Sequence, residues 1–363
     1  MRLLRSAAVE ARRSPLDAAH RALGAHIGSF AGWEMPISYA GTISEHTAVR
    51  QRVGLFDVTH LGTIAVRGAG AAELLDRVLS NRMTDLAPGR ARYTLILDDN
   101  AGIVDDIIVY AFLPGEFLVV PNASNVDEVE RRLRDRASSG IGIEQLLRAK
   151  IAVQGPSSRE AVTSVIHNVP GLGYMRCASV DDMAIARSGY TGEHGYEIFS
   201  TAERAPALWE GLLAEVKARG GEPCGLAARD TLRLEMGYPL HGNDIDTTTT
   251  PREAHLDWAV AVSKDHFVGK PAFEANPPRK ELVGLKMQDR VIPRHGATVE
   301  LGGRTLGTVT SGTFSPTLKT GIALAYVAPP GSLVEGDDVD IVVRGKRGTA
   351  RVTRPPFVPR SPK

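Results

Sequence analysis

The sequence predicts an α+β fold that ends in a small β-barrel or sandwich. Three observations carry that prediction. Short β-rich runs and amphipathic helices alternate without a βαβ unit of fixed period, which argues against a doubly wound parallel sheet. After Asn276-Pro277-Pro278 helical periodicity disappears, and short alternating runs punctuated by Gly and Pro take over. The length of 363 residues suits two or three domains of roughly 100–200 residues each.

In chain order, Ser14-Pro15 opens a helix along Leu16, His20, Leu23 and Ile27 that stops by Gly28. A turn at Gly68-Ala69-Gly70 starts a second helix, Ala71 to Leu79, with Leu74, Leu75 and Val78 on one face. Asn125–Arg136 carries Val126, Val129 and Leu133 among charges, and Ala205–Ala218 places Leu208, Leu212 and Val216 four residues apart. Strands are expected at Thr63–Val66, Tyr93–Leu97, Ile103–Phe112, Phe117–Val120, Lys150–Val153, Met183–Arg187 and Glu197–Phe199. Asp99-Asn100-Ala101-Gly102 reads as the hairpin turn between the second and third of these. Beyond a boundary near residue 277, Leu282–Met287, Thr298–Leu301, Thr305–Thr310, Ile322–Val327, Val339–Val343 and Gly348–Thr353 make about six strands. The domains are therefore 1–276 and 277–363.

Lysine plus arginine (43) nearly cancels aspartate plus glutamate (42), so no whole-protein field draws the chain to nucleic acid or an anionic membrane. No apolar stretch approaches the roughly 18 residues of a membrane span. Two cysteines, Cys177 and Cys224, exclude a disulfide scaffold and a multi-cysteine metal site, and fit a reducing compartment. The Arg-rich start, with Glu10 its acidic residue, weakly resembles a transit peptide; a frayed terminus is the plainer reading. Neither a strand-linked G-x-G-x-x-G, a P-loop, H-E-x-x-H nor a G-x-S-x-G elbow occurs. No metal is implied.

Three segments carry candidate chemistry. Asp105-Asp106 interrupts the apolar run Gly102 to Tyr110, and adjacent strand residues face opposite sides. One carboxylate is thus expected in solvent and the other inward, either as a structural device or as a contact for a ligand amine. The stretch Arg187 to Glu197 brackets Tyr190, Glu193 and Tyr196 with Gly189, Gly192 and Gly195, which suits either a ligand loop or a plain hairpin. In the helix starting at Gly225, Arg229 and Arg233 share a face four residues apart. They form either a carboxylate clamp or a solvated face with Asp230 paired to Arg233. Composition and spacing end there.

Taken together these segments resemble the T-protein family of the glycine cleavage system, the aminomethyltransferases. The resemblance runs in order through Phe30-Ala31-Gly32-Trp33-Glu34-Met35-Pro36, Glu45-His46, Gly54-Leu55-Phe56-Asp57-Val58, the Gly102–Val109 strand, the Tyr190–Glu197 loop, the Gly225–Leu234 helix and Thr308 to Leu318. It implies a three-domain cloverleaf with folate in a central hole. It implies transfer of the methylene carbon of an aminomethyl group, carried on the lipoyl arm of H-protein, to tetrahydrofolate as co-substrate. The products are 5,10-methylenetetrahydrofolate, ammonia and dihydrolipoyl H-protein, which links the chain to glycine decarboxylase and dihydrolipoamide dehydrogenase.

Carried over by position, Asp106 matches the family residue at the folate nitrogen that receives the carbon, with Asp105 the lesser candidate. Glu197 and Arg229 resemble the pterin-side residues, which revises the clamp reading. Tyr93, Asn122, Tyr190, Tyr238 and Trp258 match the lining, and Arg360 is placed at the C-terminal tail. Departures are Thr59 and Leu61 around His60, where Ser and Met are common, and His241 in place of a usual tyrosine. The alternative is a folate-binding relative without this activity, linked to iron–sulfur assembly or to demethylation. Neither cysteine stands in the assembly-factor context, and no oxidase domain fits. A silent binding module need not keep Asp106, Glu197 and Arg229 together. A bacterial cytoplasm is the expected compartment, or the mitochondrial matrix in a eukaryote.

Overall fold

A computed structural model describes residues 11–359. The start of the transit-like segment and Arg360 lie outside the described residues.

An eleven-stranded sheet organises the chain before the barrel. From one edge come Glu222–Cys224, Gly54–Asp57, Arg148–Gln154, Gly195–Thr201, Met183–Arg187 and Arg176–Val180. Then follow Arg90–Leu97, Ile103–Leu113, Glu116–Val120, Ile64–Arg67 and Gly142–Gln145. The two groups join where Arg176 pairs with Arg90. The first group is covered by helices Ser158–Val165 and Ala205–Ala218, which bury Leu55, Ile151, Ile198, Trp209 and Leu212. The second is covered by helices Ala71–Val78 and Val126–Arg134 around Ile64, Leu74, Val109 and Leu133. The segments interleave, since 64–145 intervenes between Gly54–Asp57 and its partner Arg148–Gln154.

The helices form for the reasons their spacing gave. In Val126–Arg134 the apolar face is Val126, Val129 and Leu133, while Asp127 and Glu128 sit in the first turn and Arg131, Arg132 and Arg134 in the last, each complementing the helix dipole. Leu208, Leu212 and Val216 are all buried in Ala205–Ala218. At the chain start the reading needs correction: the helix spans only Asp17–Ala22, and Ile27 belongs to the strand His26–Phe30. That strand hairpins onto Trp33–Ser38 through Ala31 and Gly32, both at positive φ (48° and 81°), the geometry of a tight turn that matches strand twist. Helix Thr42–Gln51 escaped the periodicity because its buried residues include Glu45 and His46.

Six strands, Glu281–Met287, Thr298–Leu301, Arg304–Ser315, Thr320–Val327, Asp338–Val343 and Lys346–Val352, close into a barrel around Leu285, Val299, Val309, Ala323 and Ile341. Glu281–Met287 closes it by pairing with both Thr320–Val327 and Lys346–Val352. Strand Arg304–Ser315 runs five residues past its expected end, and the extension brings Ser311 and Ser315 onto helix Leu226–Glu235. There Arg233 donates to Asp244 Oδ2 (2.7 Å) and to Ser311 Oγ (2.8 Å), with both charged groups fully enclosed. Ser315 donates to Glu235, which also takes Arg50 Nη2 at 2.8 Å and Thr317 Oγ1 at 3.0 Å. Among the described residues no helix is long and apolar enough to cross a membrane.

Candidate active site

The large sheet, helix Leu226–Glu235, the segment after it and the barrel enclose one continuous cavity of about 2090 Å³. That exceeds the ~300–1,000 Å³ of a pocket for one drug-sized ligand, so the volume accommodates more than one reactant.

Asp105 and Asp106 lie on the central strand Ile103–Leu113, and the cavity wall decides which of them is free to react. Asp105 is wholly buried and accepts from the backbone N–H of Asn122 (3.1 Å), from Asn122 Nδ2 (2.7 Å) and from Asn125 Nδ2 (2.9 Å). Asp106 lines the cavity, accepting from Tyr93 O–H (3.0 Å) and Asn122 Nδ2 (2.9 Å). The expected division holds, since Asp105 points inward while Asp106 is partly exposed toward the cavity. The roles differ from the expectation: the inward residue is spent on amide donors, and the cavity-facing one is available.

Burial raises both acids above the ordinary carboxylate range. For Asp105 the charge of Asp106 adds to this, while the amides of Asn122 and Asn125 oppose it. For Asp106 the opposing influences are the charge of His241 and the bonds from Tyr93 and Asn122. Two neighbouring acids of this kind hold a proton between them more readily than either would in water.

Elsewhere in the cavity, Glu197 accepts from Tyr110 O–H at 2.9 Å and from Ser188 Oγ. The Arg229 guanidinium lies 4.7 Å from the centre of the Tyr190 ring and forms no hydrogen bond or ion pair within the described residues. Burial lowers its pKa, against the supporting charge of Glu197. Tyr190 stacks on Tyr238 (5.7 Å, 25°) and donates to Pro239 O. Tyr93 stacks on Trp258 (5.2 Å, 23°), whose ring is 65% exposed. Flat faces, an acceptor and an unpaired guanidinium therefore line one space, a set that suits a planar heteroaromatic ligand with N–H donors and a carbonyl.

Residues 16–264 match the family model described as the GCVT N-terminal domain, and residues 280–359 match the glycine cleavage T-protein C-terminal barrel domain. The chain belongs to the glycine cleavage T-protein family. It is 45% identical over 354 residues to the aminomethyltransferase of Mycobacterium bovis, covering 95% of this chain and 96% of that one. It is 46% identical to the aminomethyltransferase of a Parafrankia species over 367 residues, 98% of this chain and 100% of that one. The crystal structure of glycine cleavage system aminomethyltransferase T from Bartonella henselae superposes with a TM-score of 0.91 at 39% identity, covering 96% of this chain and 98% of that one. Membership makes the chain a transferase of the aminomethyl type, and the folate-binding alternative without that activity is not favoured.

In this chain Asp106, Tyr93, Asn122, Tyr190, Glu197, Arg229, Tyr238 and Trp258 all line the one cavity, although they come from segments more than a hundred residues apart. Arg360 lies outside the described residues. Arg233 does not form a clamp with Arg229: it is 2% exposed, pairs with Asp230 and Asp244, and ties the helix to the barrel. The pairing of Asp230 with Arg233 from the other reading is observed, but the face is not solvated, since Arg233 is buried and Arg229 lines the cavity. The glycines of the Tyr190 loop also have a structural reason. A Cβ at Gly189 or Gly195 would come within 2.0 or 2.2 Å of the Gln154 amide, which the loop wraps through Thr191 Oγ1 (2.7 Å) and Ser188 O (3.1 Å).

Sequence reasoning missed four residues that support the site. Tyr110 and Ser188 hold Glu197, and Asn125 holds Asp105. Lys150, 2% exposed, donates to Leu61 O (2.7 Å) and Gly62 O behind His60. Burial pushes the Lys150 pKa down to about 7, against the charge of Glu197. A lysine inside the apolar run Lys150–Val153 was the available signal. His60 itself lines the cavity edge-on to Phe30 (5.3 Å, 81°). Burial first and the Arg229 charge next push its pKa down to about 3, so it is neutral at physiological pH.

Proposed function

We propose that this cavity transfers the methylene carbon of an aminomethyl group, presented on the lipoyl arm of H-protein, to tetrahydrofolate. The reading is carried by a single observation: the Asp106 carboxylate faces a cavity that also holds the unpaired Arg229 guanidinium, the Glu197 acceptor and the Tyr190–Tyr238 stack. Tetrahydrofolate is a co-substrate here. Its pterin would stack against the tyrosines, its N–H groups would donate to Glu197 and its carbonyl would accept from Arg229. Asp106, fixed by Tyr93 and Asn122, would orient the folate nitrogen that receives the carbon and offset positive charge developing on it, which is positioning plus electrostatic stabilisation. Trp258 and Tyr93 form a half-exposed aromatic wall suited to the second reactant.

The size of the cavity supports a two-reactant reaction, with 5,10-methylenetetrahydrofolate, ammonia and dihydrolipoyl H-protein as products. Glycine decarboxylase would load the arm and dihydrolipoamide dehydrogenase would reoxidise it. We assign residues 1–276 to the folate-binding core and 277–363 to the barrel domain, and place the reaction in a bacterial cytoplasm, as suits the bacterial relatives. The purified chain is expected to form methylenetetrahydrofolate and release ammonia only when aminomethylated H-protein and tetrahydrofolate are both present. Tetrahydrofolate binding without turnover on a competent H-protein would contradict the reading.

A further inference from the structure

Strand Ile103–Leu113 turns successive residues to opposite sides, and Ile107, Val109 and Ala111 pack into the core beneath helices Ala71–Val78 and Val126–Arg134. Asp106, Ile108 and Tyr110 share the other face and line the cavity. Asp106 and Tyr110 stand four residues apart on that face, ~13 Å along a strand that rises ~3.3 Å per residue. Asp106 is the carboxylate read as acting on the carbon acceptor. Tyr110 reaches instead to Glu197, on the strand Gly195–Thr201, and so ties the second carboxylate of the cavity to the strand that carries the first.

The hold on Glu197 is one-sided. Tyr110 O–H donates to Oε2 at 2.9 Å, and Ser188 Oγ donates to the same oxygen. Among the described residues no hydrogen bond or ion pair reaches Oε1, and Glu197 is half-buried against the cavity. Both donors are buried, and their oxygens lie 3.2 Å apart. The Tyr110 ring is fixed in turn, edge-on to Phe199 (5.4 Å, 70°) and stacked on Phe112 (6.4 Å, 27°). Burial first and the Glu197 charge next raise the Tyr110 pKa well above the usual phenol value, so its hydroxyl stays a donor. Two buried donors on one oxygen restrict the carboxylate to one orientation and leave its other oxygen purely an acceptor.

We propose that Tyr110 and Ser188 are positioning residues that hold Glu197 by Oε2, so that Oε1 meets a ligand N–H at a spacing from Asp106 set by the strand that Asp106 and Tyr110 share. The ligand class follows from that arrangement: a flat ring with N–H donors along one edge and its reacting nitrogen at the other end, toward Asp106. A ring with only acceptors on that edge meets a fixed acceptor and is rejected. Slack at Glu197 costs binding and rate together, because a ring that slides along the strand carries its nitrogen away from Asp106.

This inference rests on the aminomethyl-transfer reading above, and the test separates the two. Wild type, Tyr110→Phe, Glu197→Ala and the double variant are compared for tetrahydrofolate affinity by titration calorimetry. Single-turnover rate with aminomethylated H-protein at saturating tetrahydrofolate is measured on the same four proteins. Tyr110→Phe removes the hydroxyl and keeps the packed ring; it is expected to weaken affinity about tenfold and to lower the saturated rate about tenfold. In the Glu197→Ala background the same change is expected to alter each by less than about twofold, since the hydroxyl then has no carboxylate to hold. A merely structural role of Tyr110 would cost as much in either background. Should Tyr110→Phe not fold, Ser188→Ala takes its place in the same cycle, with about threefold expected on each quantity. Equal effects in the two backgrounds, or no effect beside wild-type Glu197, overturn the inference alone. Absent turnover in wild type overturns the underlying reading and the inference with it.

Discussion

The chemistry of the site depends on which side chains are left without internal partners. Asp105 has its acceptors filled by Asn122 and Asn125, whereas Asp106 keeps an open side toward the cavity. Among the described residues Arg229 has no hydrogen-bond or ion-pair partner, and Arg233, one turn later, is paired with Asp230 and Asp244. Spacing along the chain shows that two arginines share a helix face, but not that one of them is already committed to Asp244. Arg229 was therefore legible as a candidate only together with its fate in the fold. Because a hydrogen bond to a charged group is worth about 1.5–3 kcal/mol, Arg229→Met or Glu197→Gln is expected to weaken tetrahydrofolate binding ~10–100-fold by titration calorimetry with little change in melting temperature. Unchanged affinity in both variants would remove the pterin from this wall.

At the level of elements, the site is assembled by a strand, a helix and two loops whose own signals differ in strength. The central strand, the helix from Leu226 and the barrel strands were readable because one face is apolar and the turns between them are marked. Helix Thr42–Gln51 was not, since Glu45 and His46 are buried by specific partners: Glu45 by the backbone N–H groups of Tyr39 and Gly225, and His46 by Thr231 and Thr317. Periodicity of apolar residues carries no trace of such bonds. The opening hairpin was hidden for the opposite reason, as its helix-like spacing was outweighed by a turn at Ala31-Gly32. The short helix Asp257–Ala259 sets Trp258 over Tyr93 at the cavity, while Trp209 is buried in the core. Ligand occupancy is accordingly expected to quench tryptophan fluorescence, and Trp258→Phe is expected to abolish most of that change while sparing tetrahydrofolate affinity.

Across the whole molecule, the cavity persists only while the barrel stays docked on helix Leu226–Glu235. Buried charge holds that joint. Removing one partner of the Arg233–Asp244 pair by Arg233→Ala leaves an uncompensated carboxylate and is expected to cost about 3–5 kcal/mol, read as a lowered denaturation midpoint. Glu235 adds a pH dependence of known sign. Burial alone would raise its pKa, but the bonds and charges of His46 and Arg50, with Ser315, bring it from 4.5 down to about 2. A depressed carboxylate contributes stability that is complete above its unfolded value near 4.5 and disappears as pH falls through 2. Melting temperature is therefore expected to fall steeply across that window in wild type and less steeply in Glu235→Gln.

The central claim is that Asp106, rather than its buried neighbour, acts on the carbon acceptor. It is tested most directly by single-turnover formation of methylenetetrahydrofolate from aminomethylated H-protein, with wild type beside Asp106→Ala and tetrahydrofolate binding measured on both. The account predicts that wild type turns over, and that the variant still binds tetrahydrofolate measurably but loses transfer. An Asp106→Ala rate equal to that of wild type would contradict it.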